Sequence, residues 1–167
     1  MGYTLHIETD TGETCPLWFT TTDSKALFSY LIEKHAWGID GPDTIGLIMQ
    51  HLHLDITPLT KVASHDYSLA DYLEWAGDDR DEQQRAEAAW HREHAQNVAA
   101  WQSPLVLRQC LDHVLAVLNQ QPQVWTDLAI TEHYFTSGTF RHDLQDVQQM
   151  VAWAQEHNIH LIRIAWD

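Results

Sequence analysis

The stretch PLVLRQCLDHVLAVLN, residues 104–119, decides the fold class because its apolar residues recur at the spacing of an α-helix. Ser103 and Pro104 stand where an N-cap and a first-turn proline are favoured. A helix with one apolar face needs a second layer to cover it. The residues on that face are Leu107, Cys110, Leu111, Val114, Leu115 and Leu118.

The N-terminal segment predicts β-structure. Tyr3, Leu5 and Ile7 alternate with polar residues, which is the period of a half-buried strand. Turn-forming residues follow at 10–13, and a second apolar run lies at 17–19. These features predict a β-hairpin, whose second strand would lie at a sheet edge because Pro16 lacks a backbone N–H.

The C-terminal segment predicts a strand, a helix and a second strand. Residues 124–135 are rich in β-branched and aromatic side chains, which favour a strand. Apolar residues at helical spacing predict a helix over residues 143–157, and residues 159–164 are apolar enough to lie inside a sheet. This order suggests a right-handed crossover that pairs with the N-terminal hairpin.

The middle of the chain is mainly helical. The pattern predicts helices over residues 24–35, 42–52, 69–77 and 78–101, with an irregular segment at 54–66. The whole sequence therefore predicts one α+β domain over residues 1–167. Its small mixed β-sheet, made of the N-terminal hairpin and the C-terminal strands, would pack against about five or six helices.

Charge is the most unusual property of the composition. The chain has 24 acidic and 9 basic residues, a formal net charge of −15 with its 12 histidines neutral. Such a field repels nucleic acid and anionic membrane surfaces and attracts a basic protein. The histidines would begin to cancel the negative charge near their ordinary pKa of about 6.5.

Cysteine content and the start of the chain predict a compartment. Cys15 and Cys110 are the two cysteines, fewer than a small secreted scaffold carries. Residues 1–13 lack the basic and apolar regions of a secretory signal, and no apolar run approaches the ~18 residues that span a bilayer. We expect a cytoplasmic protein with reduced thiols.

Two histidine segments are weak candidates for metal ligands. In a strand, His51, His53 and Asp55 would share one face and suit a metal ion, whereas in a helix His53 points away from the other two. His91 and His94 are neighbours on a predicted helix, but His94 also lies on the face of Trp90, where a packed histidine is common. The cofactor of such a site would be a divalent metal, and at least three ligands must converge within about 2.0–2.2 Å of it.

The sequence contains other groups of chemically reactive or charged residues, and each also has an ordinary structural explanation. Ser64, His65 and Asp66 are consecutive, so their side chains diverge, unlike those of a catalytic triad. Cys110 lies on an apolar stripe, where a cysteine behaves as a small hydrophobe. The acidic run at 78–82 is either a solvated helix start or a docking patch for a basic protein. Among the chain's eight tryptophans, one or two are expected to be surface anchors.

Three functions remain open from the sequence, and no catalytic residue is assigned. The favoured hypothesis is an acidic interaction protein, specifically an immunity-type inhibitor that covers the basic cleft of a nuclease-like toxin. The alternative is a small metal-dependent enzyme with a histidine-rich site. A third is a regulatory domain that performs no chemistry. The oligomeric state is not indicated by the sequence.

Overall fold

The computed structural model describes residues 5–20, Leu27 and residues 44–166. Within these residues the chain forms an α+β fold, as the sequence predicts. The three strands are β1 (Leu5–Thr9), β2 (Val62–Ala63) and β3 (Ile162–Trp166). The eight helices of the described part are α1 (Thr44–His51), α2 (Thr57–Thr60), α3 (Leu69–Ala76), α4 (Arg80–Ala99), α5 (Pro104–Gln120), α6 (Val124–Asp127), α7 (His133–Thr136) and α8 (Thr139–Glu156).

The sheet is mixed, with β3 in its centre. The strand order is β1-β3-β2, where β1 is antiparallel and β2 parallel to β3. Ile162 and Ile164 of β3 belong to the main hydrophobic core. Ala165 faces the other way and packs with Ala63 and Ala100, so the central strand is buried on both faces.

Residues 104–119, whose apolar residues recur at helical spacing, form most of α5. Ser103 caps this helix by accepting a hydrogen bond from the backbone N–H of Leu105, 3.2 Å away. Five of the six residues of its predicted apolar face are buried: Leu107, Leu111, Val114, Leu115 and Leu118. Cys110 is only partly buried at the edge of the core. The predicted helices at 42–52, 69–77, 78–101 and 143–157 correspond to α1, α3, α4 and α8.

The N-terminal hairpin is a correction to the sequence-based prediction. Residues 12–19 form no strand, and β1 pairs with β3 instead. Pro16 lacks the N–H that a strand pairing uses. The Thr9 hydroxyl donates to the Glu13 carbonyl over 2.7 Å and the Gly12 N–H donates to the Thr9 carbonyl, so a turn follows β1. Leu17 and Trp18 are left exposed.

The strand predicted at 124–135 is also wrong. The structure has α6 and α7 there, separated by Ala129 in the left-handed region at φ 52°. Phe135 packs edge-on against Phe140 of α8, with ring centroids 5.1 Å apart. Burial of this side chain between helices overrides the β-propensity of the segment.

The parallel partner of β3 is a further correction. It is β2, which lies with α2 inside the segment predicted to be irregular, so the predicted crossover from 124–135 does not form. The last strand begins at Ile162, three residues later than predicted.

The short helices α2, α6 and α7 raise the number of helices in the described residues above the predicted five or six. The predicted helix at 24–35 lies outside the described residues except for Leu27. Among the helices that the structure describes, none has the length and apolarity to cross a bilayer.

Candidate functional site

The segment 51–55 forms the end of α1 and the turn after it. His51 is the last residue of α1, and its Nε2 lies 4.0 Å from the Asp127 carboxylate. His53 occupies the left-handed region at φ 54°. Asp55 accepts hydrogen bonds from the hydroxyl and the backbone N–H of Thr57, and these two bonds lower the pKa of its carboxyl. Asp55 therefore shapes the start of α2.

His91 and His94 flank Trp90 on α4. The His94 ring stacks on Trp90 with centroids 4.9 Å apart and an interplanar angle of 11°, whereas the His91 ring meets Trp90 edge-on at 5.0 Å. All five metal-ligand candidates lie in the described part of the chain. In that part, no group of three or more histidine, cysteine, aspartate or glutamate side chains is arranged to hold a metal ion.

The candidate nucleophiles are not activated. The Ser64 hydroxyl donates to Glu93, while Asp66 accepts hydrogen bonds from Asn97 and Arg163. The side chains of Ser64 and Asp66 therefore bond to different partners and do not form a catalytic triad with His65. Burial and the nearby charge of Asp55 raise the pKa of Cys110 to about 11. Burial also raises the pKa of Cys15. Both thiols are free and uncharged at neutral pH.

In the part of the chain that the structure describes, acidic residues are concentrated on a helical hairpin formed by α3 and α4, residues 68–99, here called the acidic hairpin. From position 66 to position 93 the chain carries nine acidic residues, three arginines and no lysine. No residue of α3 is buried, and Asn97 is the one buried residue of α4. No residue of the hairpin belongs to the main hydrophobic core. The hairpin therefore lies outside the core and presents most of its side chains to solvent.

Local chemistry explains why this polar segment is helical. Ser68 and Asp71 form a capping box, in which each side chain bonds to the backbone N–H of the other. Asp79 caps α4 by accepting from the N–H groups of Asp81 and Glu82, whose charges suit the positive end of the helix dipole. Gly77 ends α3 at φ 69°, a conformation that favours glycine.

A polar network fixes the end of the hairpin to the sheet. Arg163 of β3 donates to Glu8 over 2.5 Å, to Asp66 over 3.1 Å and to the Asn97 carbonyl over 3.2 Å. Its guanidinium also lies over the ring of Trp101, 4.7 Å from the centroid. Burial alone would raise the pKa of Asp66, but the hydrogen bonds from Asn97 and Arg163 outweigh that effect and lower it.

Glu93 links the two helices of the hairpin. It accepts hydrogen bonds from the hydroxyls of Ser64 and Tyr72. Burial and the bond to Glu93 together raise the pKa of Tyr72 to about 12. This carboxylate is therefore a bridging group inside the hairpin.

Aromatic rings cover one side of the hairpin and the segment before it. The Tyr67 ring meets Trp75 edge-on with centroids 4.8 Å apart, and Tyr72 lies 5.4 Å from the same indole. Trp75 is 62% exposed and Tyr67 is 44% exposed. We call this group the aromatic cluster, with members His65, Tyr67, Tyr72, Trp75, Trp90 and His94.

This cluster is not predicted from the sequence, although the sequence contains two signals of it. Tyr72 and Trp75 are three residues apart in a predicted helix, and the chain is rich in tryptophan. The missing information was the position of Tyr67, whose carbonyl accepts a hydrogen bond from Trp90 Nε1 over 3.0 Å. That contact joins residues 23 positions apart, which no local pattern indicates.

A hollow of about 370 Å³ lies beside β1. The described residues that line it are mainly apolar, and the titratable ones among them are His6 and the uncharged thiol of Cys15. These described residues do not form the paired acids, bases or nucleophiles that catalysis would use.

Comparison of the chain with protein-family models, with curated proteins and with solved structures gives no match. What bears on function is therefore the geometry of the acidic hairpin and the aromatic cluster.

Proposed function

We propose that this protein is an interaction protein that binds a basic protein partner through its acidic hairpin. The observation that carries the proposal is the concentration of eight acidic residues on the acidic hairpin, a surface element in which Asn97 is the one buried residue. Glu74, Asp78 and Glu82 are exposed there, so their charges are available to a partner.

Physical chemistry favours a partner of opposite charge. A dense negative surface attracts a positive one over roughly 10 Å at moderate salt and speeds their encounter. Exposed charges at the rim of an interface mainly set the association rate and the choice of partner. In its specific form, the proposal is immunity-type inhibition, in which the hairpin covers the basic substrate cleft of a nuclease-like toxin. Such a cleft carries positive charge because its substrate is a polyanion.

The test is to purify the protein with its partner from the native cell and to compare two charge variants. The hairpin variant carries Glu74→Gln, Asp78→Asn and Glu82→Gln, none of which removes a side chain that caps a helix. The control variant removes the same number of charges elsewhere with Asp10→Asn, Glu13→Gln and Glu156→Gln. We expect a basic partner whose Kd rises about tenfold with the hairpin variant, at roughly 0.5 kcal/mol per charge, and little with the control.

Two outcomes of the partner purification would contradict the proposal. If no stoichiometric partner is recovered, or if the recovered partner binds the hairpin variant as tightly as the native chain, the proposal is wrong. For the inhibitor form, a partner with nuclease activity must lose that activity when the native chain is added. Melting curves of both variants check that the fold is intact.

A further inference from the structure

We infer that the aromatic cluster is an anchoring site for an arginine side chain of the basic partner, with Trp75 and Tyr67 as the surfaces it contacts. This inference rests on the proposed function and deepens it, because it states which basic side chain is recognised and where. The observation behind it is that two aromatic rings in mutual contact remain exposed, Trp75 on the acidic hairpin and Tyr67 directly before it.

The rings are fixed in position before any partner arrives. The Tyr67 carbonyl accepts the indole N–H of Trp90, and the Tyr72 hydroxyl is bonded to Glu93. The His65 ring also packs against Tyr67, with centroids 4.5 Å apart. A side chain that docks on a preorganised surface loses less of its binding free energy to ordering that surface.

A carboxylate, that of Asp71, lies one helical turn before the exposed indole of Trp75. Asp71 is four residues before Trp75 on α3, so the two side chains share one face of the helix. The hydrogen bonds from the Ser68 hydroxyl and backbone N–H hold Asp71 in place, and they lower its pKa. A carboxylate beside an aromatic face provides the two contacts that a guanidinium makes at once, an ion pair and a cation–π contact.

The same chemistry discriminates arginine from lysine. A guanidinium is planar and weakly hydrated, and it stacks on an indole while donating to a carboxylate in the same plane. A lysine ammonium is compact and strongly hydrated, so it gains from the charge of the hairpin but little from the exposed ring. Uniform attraction by net charge would not distinguish the two residues. Preference for arginine is therefore the signature of this site.

The experiment uses two short peptides of equal length and charge, one built on arginine and one on lysine. Each is titrated against the full chain by calorimetry, with native protein, Trp75→Ala, Trp75→Phe and Trp18→Ala. Trp18 is the matched control because it is also exposed, at 67%, and lies outside the hairpin. We expect the arginine peptide to bind about fivefold more tightly than the lysine peptide. The expected effect of Trp75→Ala is to remove that difference, whereas Trp75→Phe keeps part of it and Trp18→Ala keeps all of it.

The outcomes separate this inference from the proposed function. If both peptides bind the native chain equally, or if Trp75→Ala leaves an arginine preference intact, the inference is wrong. In that case the proposed function still stands if the hairpin charge variant weakens binding of the native partner. The inference is also overturned if the purified native partner binds Trp75→Ala as tightly as the native chain while the hairpin charge variant weakens it. Because Trp75 is mostly exposed, the alanine variant is expected to fold, and a melting curve checks this.

Discussion

At position 72, a tyrosine hydroxyl is held against the Glu93 carboxylate. Burial and this bond raise its pKa from 10.0 to about 12, so the native state favours the neutral phenol. The stabilisation is fully present below the unfolded pKa of about 10, and it is lost as the pH rises through the folded value. An alkaline titration of tyrosinate absorbance should show a late step that Tyr72→Phe removes, whereas urea-unfolded protein shows no late step. A late step that persists in Tyr72→Phe would contradict this assignment.

The histidines show how far single residues could be read from the sequence. The spacing places His94 on the face of Trp90, and the two rings stack. The same spacing could not indicate whether a third ligand from another segment joins His91 and His94, because that depends on how distant parts of the chain pack. In the described residues His51 lies near Asp127 instead, and the metal-site hypothesis has no converging ligand set.

The acidic hairpin depends on local capping because it has little burial to stabilise it. Ser68 accepts from the Asp71 N–H, and the Asp71 carboxylate accepts from Ser68 in return. We expect Ser68→Ala to destabilise the protein by about 1 kcal/mol, the usual effect of losing an N-cap, and Ser68→Thr to have little effect. Urea unfolding followed by circular dichroism measures both variants.

The pH dependence of this cap follows from Asp71. Hydrogen bonding lowers the pKa of its carboxyl, so the cap contributes fully above the unfolded pKa of about 4 and is lost as the pH falls through the folded value. Ser68→Ala should therefore cost less stability in acid than at neutral pH. An equal cost at both pH values would show that the box is not formed in solution.

Elements differ in how well the sequence predicts them, and the reason is where their stabilising contacts lie. The apolar pattern of α5 repeats along the helix, and the residue that caps the helix, Ser103, directly precedes it. A single helix therefore accounts for the whole pattern. Residues 124–135 lack such a pattern. Their fold is decided by Phe135 packing on Phe140 of α8, a contact that intrinsic β-propensity does not record. The strand β2 is only two residues long, too short for any periodicity to predict.

Across the whole molecule, composition predicts the net charge but not its arrangement. The run at 78–82 covers the turn of the acidic hairpin and the first residues of α4, outside the main hydrophobic core, which is where the docking-patch hypothesis requires it to be. That arrangement needs the far end of α4 to be attached to the sheet. Asn97 and Arg163 provide the attachment. The sequence does not predict this role, because each is a single polar residue that belongs to no motif.

Arg163 joins the N-terminal strand, the C-terminal strand, the segment at 64–66 and α4, so its removal should affect the whole fold. Its side chain is 8% exposed, whereas those of Glu8 and Asp66 are 37% and 50% exposed. Breaking a fully buried ion pair typically costs roughly 3–5 kcal/mol, but these carboxylates regain water when the guanidinium is lost. We therefore expect Arg163→Met, which keeps the apolar volume, to destabilise the protein by about 2 kcal/mol in urea unfolding.

The same substitution should alter the acid dependence of stability. Native Asp66 has a lowered pKa, so its contribution is present above the unfolded value of about 4 and disappears as the pH falls through the folded one. Without Arg163 that pKa moves back towards its ordinary range, so the stability of Arg163→Met should fall less between neutral pH and acid than that of the native chain.

A double-mutant cycle of Arg163→Met with Glu8→Gln should give a coupling energy of about 1 kcal/mol, because the two side chains share a direct hydrogen bond. A coupling near zero together with an unchanged acid dependence would mean that the hairpin is attached to the sheet by Asn97 and apolar packing alone.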